Sequence, residues 1–560
     1  MIKALHPKFE AYLAQFASGP LSCVSVFHKF VVLASDRDIA HKVFKSPAFA
    51  RPCLVPIAID IMRPTSWVFL TGKAHAEYRR GLTCLFTNRA LSTYLPVQEK
   101  VYGDYFDKFV AASEANGGKP MKFMGLFREI NCALSCRTFF GDYISQQAVK
   151  RIADDFYLVT AALELVNIPF SMYIPFTKCW RGKRIADAVL DEFTRCAAAC
   201  KANMASGAKP RCIVDQWVSH MMESKAYNDK IAAGEEAEKP INLIREFSNE
   251  EIGQTIFTFL FASQDASSSA TTWLFQILAQ RPDVLDRLRE ENLAARGGDR
   301  SRPFELEMLE SLPYTNAVVK ELLRYRPPVI FVPYLATKPF PITPDYTVPK
   351  GSMVVPSCYP ALHDPEAYPN PDVFDPERWI TGDAESKTRN WLVFGAGPHD
   401  CLARKYVPLT MAAMIGKASL EVDWVHHATE RSEEIKVFAT LFPMEASCHG
   451  SPHSLVPNLG HFDVTLVTRM RPVDQVSASR AVRALHVDEN EPLVPGGRLP
   501  CQLAQSLVEA QDPRLRRLVA VDEEGGQDDG GTRGGGPQEL EQVGHALARR
   551  IQAQALEAVV

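Results

Sequence analysis

Phe394-Gly395-Ala396-Gly397-Pro398-His399-Asp400-Cys401 is the stretch whose reading decides the fold. A glycine-rich hairpin closes on one cysteine, and a helix-like segment, Leu402 to Met414, follows at once. The glycines let the backbone approach closely and take conformations that a side chain forbids. The N–H groups of the turn and of the following helix start favour an anionic sulfur. A cysteine so placed can point its sulfur at a planar metal cofactor, which is what axial thiolate ligation of haem iron needs. Such a ligand pushes electron density onto iron and promotes O–O cleavage. Cys401 alone, without these neighbours, would read as a buried cysteine in a loop-to-helix turn.

Outward from this loop, the chain has 560 residues and a net charge of −4, so nothing points to nucleic acid. That length allows one large catalytic domain with extras. Its 13 cysteines include no Cys-x-x-Cys pair and no zinc spacing. Cys132 and Cys136, like Cys196 and Cys200, are four apart on expected helices and read as small apolar residues. Scattered, odd-numbered cysteines fit a reducing compartment. No run of about 20 apolar residues and no secretory leader is found. Leu21–Ser35, broken by His28 and Lys29, reads as two short strands around a turn.

Residues 1–470 read as one mostly α body with small sheets. Short strands and helices mix in the first hundred residues, and helical patterns dominate from 90 to 325. A proline-rich stretch with short β runs follows to 380, then the cysteine loop, a long helix and a hairpin near Ile435–Phe442. This order fits no doubly wound α/β plan. The absence of a Gly-x-Gly-x-x-Gly fingerprint argues against a built-in nicotinamide or flavin domain. Residues 471–560 read as a flexible linker. Glu523–Gly536 is a Gly/Asp/Glu stretch too polar to bury a core, and Leu540, Val543, Leu547 and Ile551 mark a possible terminal helix.

Three more patterns carry chemistry. Glu321 and Arg324, three apart, share one helix face, and a buried pair of that kind needs further hydrogen bonds. Arg378, in Phe374-Asp375-Pro376-Glu377-Arg378-Trp379, is available as a third partner. In Phe259–Ser269, Asp265 and a cluster of hydroxyls interrupt an apolar helix, where serines can bond back to carbonyls and bend the ladder. His75 and Arg79, four apart, can face one anion. Taken singly, Glu-x-x-Arg is usually an exposed ion pair, a serine cluster a simple bend, and two basic residues a solvated face.

Together these stretches resemble the cytochromes P-450. Phe394, Gly397 and Cys401 match the haem signature Phe-x-x-Gly-x-Arg-x-Cys-x-Gly, with His399 in place of the arginine and Ala403 in place of the last glycine. The resemblance makes Cys401 the metal ligand of haem b, His399 a propionate partner, and Glu321, Arg324 and Arg378 a structural triad that locks the fold around the haem. It makes Asp265 the acid of the oxygen-activating helix, where the usual threonine is Ala266 and Ser267 stands one place on. Our expectation is that Ser267, or an ordered water, delivers protons with Asp265. His75 and Arg79 are placed on haem propionates.

Residues 6–445 resemble one branch more closely, the fungal sterol C-22 desaturases, notably in Ala262-Ser263-Gln264-Asp265-Ala266-Ser267-Ser268-Ser269. What this implies is introduction of a 22,23 double bond into an ergosterol precursor. It would use O2 and electrons from NADPH through a separate reductase that Arg404 and Lys405 help to meet. Expected pocket residues are Ile61, Trp67, Phe69, Phe261, Ala262, Val329, Ile330, Phe331, Val332, Leu441 and Phe442. The expected location is the cytoplasmic face of the endoplasmic reticulum membrane. There the apolar run Ile168–Phe176, beside Lys178, Arg181, Lys183 and Arg184, would dip into the surface. Two departures stand out. The chain starts past the family's usual anchor and proline-rich hinge, and Phe442–Met470 carries an unfamiliar insertion. The alternatives are a hydroxylating or demethylating cytochrome on another lipid, a haem- or sterol-binding sensor without turnover, and a helical scaffold with no cofactor.

Overall fold

Leu21–Ser35 forms the expected pair of strands, β1 (Leu21–Val26) and β2 (Lys29–Ala34), joined in antiparallel register. Along β2, Val32 and Ala34 are buried while Val31 and Leu33 are half-buried, the two-residue alternation of a sheet with one covered face. The next elements are α1 (Arg37–Phe44) and the short strand β3 (Ala50–Pro52). The proline-rich stretch supplies β4 (Tyr334–Ala336) and β5 (Met353–Pro356), which complete a five-stranded sheet in the order β1-β2-β5-β4-β3. β2 and β5 run parallel and the other neighbours antiparallel. A separate core of Val32, Val43, Phe44, Tyr334 and Val354 lies under this sheet.

The computed structural model describes residues 9, 13–14, 19–26, 29–53, 56–117, 119–162, 172–429, 431–437, 440–443 and 464–468. They fall in a unit spanning Met1–Arg469. The expected linker and terminal helix, the first part of the apolar run (168–171) and most of the insertion lie outside the described residues.

The helical body is built from α2 (Gly72–Thr83), α3 (Asn88–Ala115), α4 (Met124–Phe140), α5 (Lys178–Ala205), α6 (Ile213–Ala232), α7 (Asn249–Gln280), α8 (Pro282–Ala295), α9 (Pro313–Tyr325) and α10 (Tyr406–Glu421). α7 is the axis. At 32 residues it runs roughly 48 Å. Its start is fixed by a capping box: Ser248 Oγ accepts from Glu251 N–H, and the Glu251 carboxylate accepts from Ser248 N–H. Its second half is buried on nearly every side, so this segment is a core helix and not an amphipathic one. The main core surrounds it and joins α3, α4, α5, α9 and α10.

One boundary differs from the sequence expectation. The helix after the cysteine begins at Tyr406, not Leu402, and 402–405 is a turn. Pro408 then falls in the first helical turn, where an N–H has no partner to lose. β6 (Val422–His426) follows, and then the expected hairpin, β7 (Ile435–Val437) and β8 (Leu441–Pro443). β9 (Val464–Thr468) pairs antiparallel with β6. Cys132, Cys136, Cys196 and Cys200 are buried helix residues with free thiols. Cys200 donates to Asp215 Oδ1 at 3.0 Å. Among the described residues no helix is long and apolar enough to cross a membrane.

Candidate active site

The cysteine loop is held by backbone. Cys401 N–H donates to Phe394 C=O at 2.8 Å, closing the turn. Gly397 has φ +79°, and a Cβ there would collide with the Phe44 carbonyl oxygen at the end of α1. That position therefore requires glycine for both conformation and space. The Cys401 thiol is free, and burial pushes its pKa above the ordinary value while the Ala403 N–H pulls it back. A cation at the sulfur would reverse that balance, because a coordinating thiol loses its proton.

His75, Arg79 and His399 gather beside this loop. The His75 and His399 rings are 4.0 Å apart, and Trp67 stacks on His75 with centroids 6.0 Å apart. Burial and the charge of Arg79 lower the pKa of His75. His399 is pushed down to about 4 by burial, His75 and Arg79. His75 Nε2 and Trp67 Nε1 are buried with no hydrogen-bond partner among the described residues. Arg79 reaches the loop itself: it donates to Asp400 C=O at 2.8 Å and pairs with the Asp400 carboxylate. Arg404 holds the other carboxylate oxygen at 2.9 Å. Sequence reasoning missed Asp400, and its place before the cysteine was the available signal.

The middle of α7 brings the acid. Asp265 forms an ion pair with Arg128 of α4 at 2.7 Å, both side chains largely buried. Gln264 Nε2 donates to Arg128 C=O at 2.8 Å, and Ser135 and Ser263 share a hydrogen bond at 3.0 Å. Back-bonding occurs at Ser263, Ser268 and Thr272, to Leu260, Gln264 and Ser268 carbonyls. Among the described residues Ser267 makes no side-chain hydrogen bond. Ala262 is exposed although the helix around it is buried, and Phe261, Asp265, Ala266 and Ser267 are partly open. This strip borders free space.

Glu321, Arg324 and Arg378 come together in one cluster. Glu321 and Arg324 are fully buried, joined by two parallel bonds of 2.8 and 2.9 Å. Arg378 Nε donates to Glu321 at 3.0 Å. Trp379 Nε1 and Asp375 N–H also donate to the Glu321 carboxylate, at 2.9 and 3.0 Å. The remaining guanidinium donors find the carbonyls of Leu362, Val373 and Pro369. Trp379 packs edge-on against Trp391, three residues before Phe394, and so links the triad to the cysteine loop.

The expected pocket residues separate. Ile61, Trp67, Ile330, Leu441 and Phe442 are buried in the main core. Phe69, Phe261, Val329 and Phe331 are half-buried and Ala262 is exposed. Val332 packs instead against the sheet-side core. Of the apolar run, Met172 is buried, whereas Tyr173, Ile174 and Phe176 are exposed, Phe176 at 77% with φ +67°.

These residues fit a haem. A loop that only glycine allows presents a free thiol. Two buried donors without partners sit beside a guanidinium, as carboxylate groups require. A partly exposed strip, Phe261 to Ser267, lies along the otherwise buried and unbroken central helix. The comparisons agree. The cytochrome P450 family model matches residues 4–423. The chain is 82% identical over 79% of its length to the C-22 sterol desaturase ERG5B of Gibberella zeae, covering 83% of that protein. It is 80% identical over 79% of its length to the cytochrome P450 monooxygenase oblE of Emericella variicolor, covering 84%. It is 58% identical over 79% to the C-22 sterol desaturase erg5 of Aspergillus fumigatus, covering 85%. Among solved structures, retinoic acid-bound cyanobacterial CYP120A1 matches 82% of this chain and 94% of its own with a TM-score of 0.65 at 20% identity. The mostly α architecture with small sheets is thus that of a haem-thiolate enzyme class. The chain belongs to the cytochrome P450 family, whose members hold haem iron through a thiolate and use O2.

Proposed function

We propose that this chain is a sterol C-22 desaturase, with haem b held by Cys401 and a sterol in the space beside the open strip of α7. The observation that carries this reading is the 82% identity to a C-22 sterol desaturase across the whole body that contains the site. Bound haem supplies activation of O2 and removal of hydrogen from unactivated C–H bonds. The residues of this chain do the rest. Gly397 and the Phe394 carbonyl fix the loop that presents the sulfur. The orphaned His75 Nε2 and Trp67 Nε1, with Arg79 and His399, serve the haem carboxylates. Asp265 and Ser267 hold protons at the open strip. Phe69, Phe261, Ala262, Val329 and Phe331 exclude water around the sterol, and Ile61, Ile330, Leu441 and Phe442 back them from the core.

The reaction balances without further reagents. The substrate gives up two hydrogens as the 22,23 bond forms, NADPH gives a hydride through a separate reductase, and one proton comes from solvent. O2 leaves as two waters. Arg404 and Lys405, exposed after the thiolate, suit an acidic redox partner. Exposed Tyr173, Ile174 and Phe176 beside Lys178 and Arg181 suit the endoplasmic reticulum membrane, from which a sterol enters.

Sterol analysis of a desaturase-deficient yeast expressing this chain tests the reading. Accumulation of 22,23-unsaturated sterol is expected, and sterols that stay saturated at that bond contradict it. One observation favours a second reading, oxygenation of another lipid: a relative at 80% identity is a cytochrome P450 monooxygenase without that sterol designation. Oxygenated product in the same cells would identify it.

A further inference from the structure

The backbone of one residue, Leu441, joins three elements expected at the substrate. Ser269 Oγ, on α7, donates to Leu441 C=O, and Trp273 Nε1, one helical turn further, donates to the same oxygen at 3.0 Å. Leu441 N–H in turn donates to Pro328 C=O at 3.0 Å, next to the stretch Val329–Phe331. Both lone pairs of the carbonyl are thereby used. Ser269, Trp273 and Leu441 are all essentially inaccessible to solvent.

The hairpin that carries Leu441 and Phe442 needs such a clamp. It is a two-stranded ribbon of three residues a strand, marginal on its own. Its position relative to α7 must come from outside contacts. Gln276 extends the seam by donating to Ser432 C=O at 3.1 Å, but that contact grips the base of the hairpin, whereas Ser269 and Trp273 grip β8 itself.

We propose that Ser269 and Trp273 are positioning residues that set the depth of the Leu441–Phe442 strand, and thereby which C–H bonds of the sterol tail are presented for reaction. The inference rests on the proposed sterol pocket. Alkene and alcohol products differ by whether a second hydrogen is within reach after the first is lost. A wall that shifts by a fraction of an ångström changes that choice.

Three full-length haem-loaded variants test this: Ser269→Ala, which removes only the donor, Trp273→Phe, which keeps an aromatic ring but loses the donor and the second ring, and Ser269→Thr, which keeps the hydroxyl. Ser269→Ala and Trp273→Phe are each expected to keep wild-type haem content. They should raise the sterol concentration for half-maximal spectral shift about 2- to 10-fold, the effect of one hydrogen bond. They should also speed amide exchange across Ile435–Pro443 and move product from alkene towards alcohol. Ser269→Thr should restore all three. Wild-type exchange and titration in both donor-less variants overturns the inference. Loss of haem in both, with no rescue by threonine, also overturns it, because the role is then general folding. If the wild-type chain makes no alkene, the desaturase reading fails while exchange and titration still judge the clamp.

Discussion

Asp265 stands 2.7 Å from Arg128 on one side and beside partly open Ala266 and Ser267 on the other. A carboxylate held in that way is fixed in place without being consumed by hydrogen bonds within its own helix. On the proposed reading it passes a proton at the open strip while the guanidinium holds it in place. Asp265→Asn should retain haem and sterol binding and lower turnover by about 100-fold or more, the usual scale for a positioned acid–base group. Unchanged turnover with an unchanged solvent isotope effect would remove Asp265 from the reaction. The acid itself was legible in the sequence, because an ionisable group in the middle of an apolar helix is costly to bury and so stands out. Arg128 was not. It lies on a separate helix, and nothing local marks an arginine on α4 as the partner. The resemblance already puts His75 and His399 on the same group, but the stacking of Trp67 on His75 had no signal in the sequence.

Among the elements, α9 and the loop 375–379 are joined by a carboxylate that accepts from Arg324, Arg378, Trp379 and the Asp375 backbone. Each donor compensates part of the cost of burying Glu321. Arg324→Leu removes the bidentate partner and leaves that carboxylate short of charge, at a cost of about 3–5 kcal/mol. Glu321 is then held less firmly, and so is Trp379, which donates to it and packs on Trp391 towards the cysteine loop. Little haem-loaded protein is expected from Arg324→Leu; normal haem content would refute the lock. The triad was readable because its spacing fixes a shared helix face and its order along the chain is specific. The start of α10 was not readable, since periodicity runs through the turn at 402–405 and the backbone change there has no side-chain signature. The strand pairs at Leu21–Ala34 and Ile435–Pro443 were readable from alternation and turn residues. Their destinations were not, because partners such as β5 and Ser269 are remote in sequence.

At the scale of the whole molecule, the described residues form a five-stranded sheet, smaller strand pairs and a helical body around a central helix, and two surfaces matter. The thiolate side is polar and basic at Arg404 and Lys405. Elsewhere Tyr173, Ile174 and Phe176 stand exposed, with the Arg184 guanidinium over the Trp180 ring at 5.3 Å close behind. Burying an exposed phenylalanine in lipid removes apolar surface from water, whereas an aspartate there is repelled by anionic headgroups. Phe176→Asp should weaken flotation with vesicles containing anionic lipid several-fold, and equal flotation would exclude this loop from the membrane contact. The fold class was legible as a whole from the sequence of motifs, none of which sufficed alone. The identity of the ligand space was less so: Val332, read as a pocket residue with its neighbours, turns to the sheet core, since one step along an extended segment reverses the face.

The central claim is that this chain, with the haem that Cys401 would hold, removes two hydrogens from a sterol side chain and leaves no oxygen behind. Its most direct test is the mass of the product formed by the purified chain with reductase, NADPH, O2 and a 22,23-saturated ergosterol precursor. The account predicts a sterol lighter by two hydrogens. A product heavier by one oxygen, or none at all from protein carrying its full complement of haem, would contradict it.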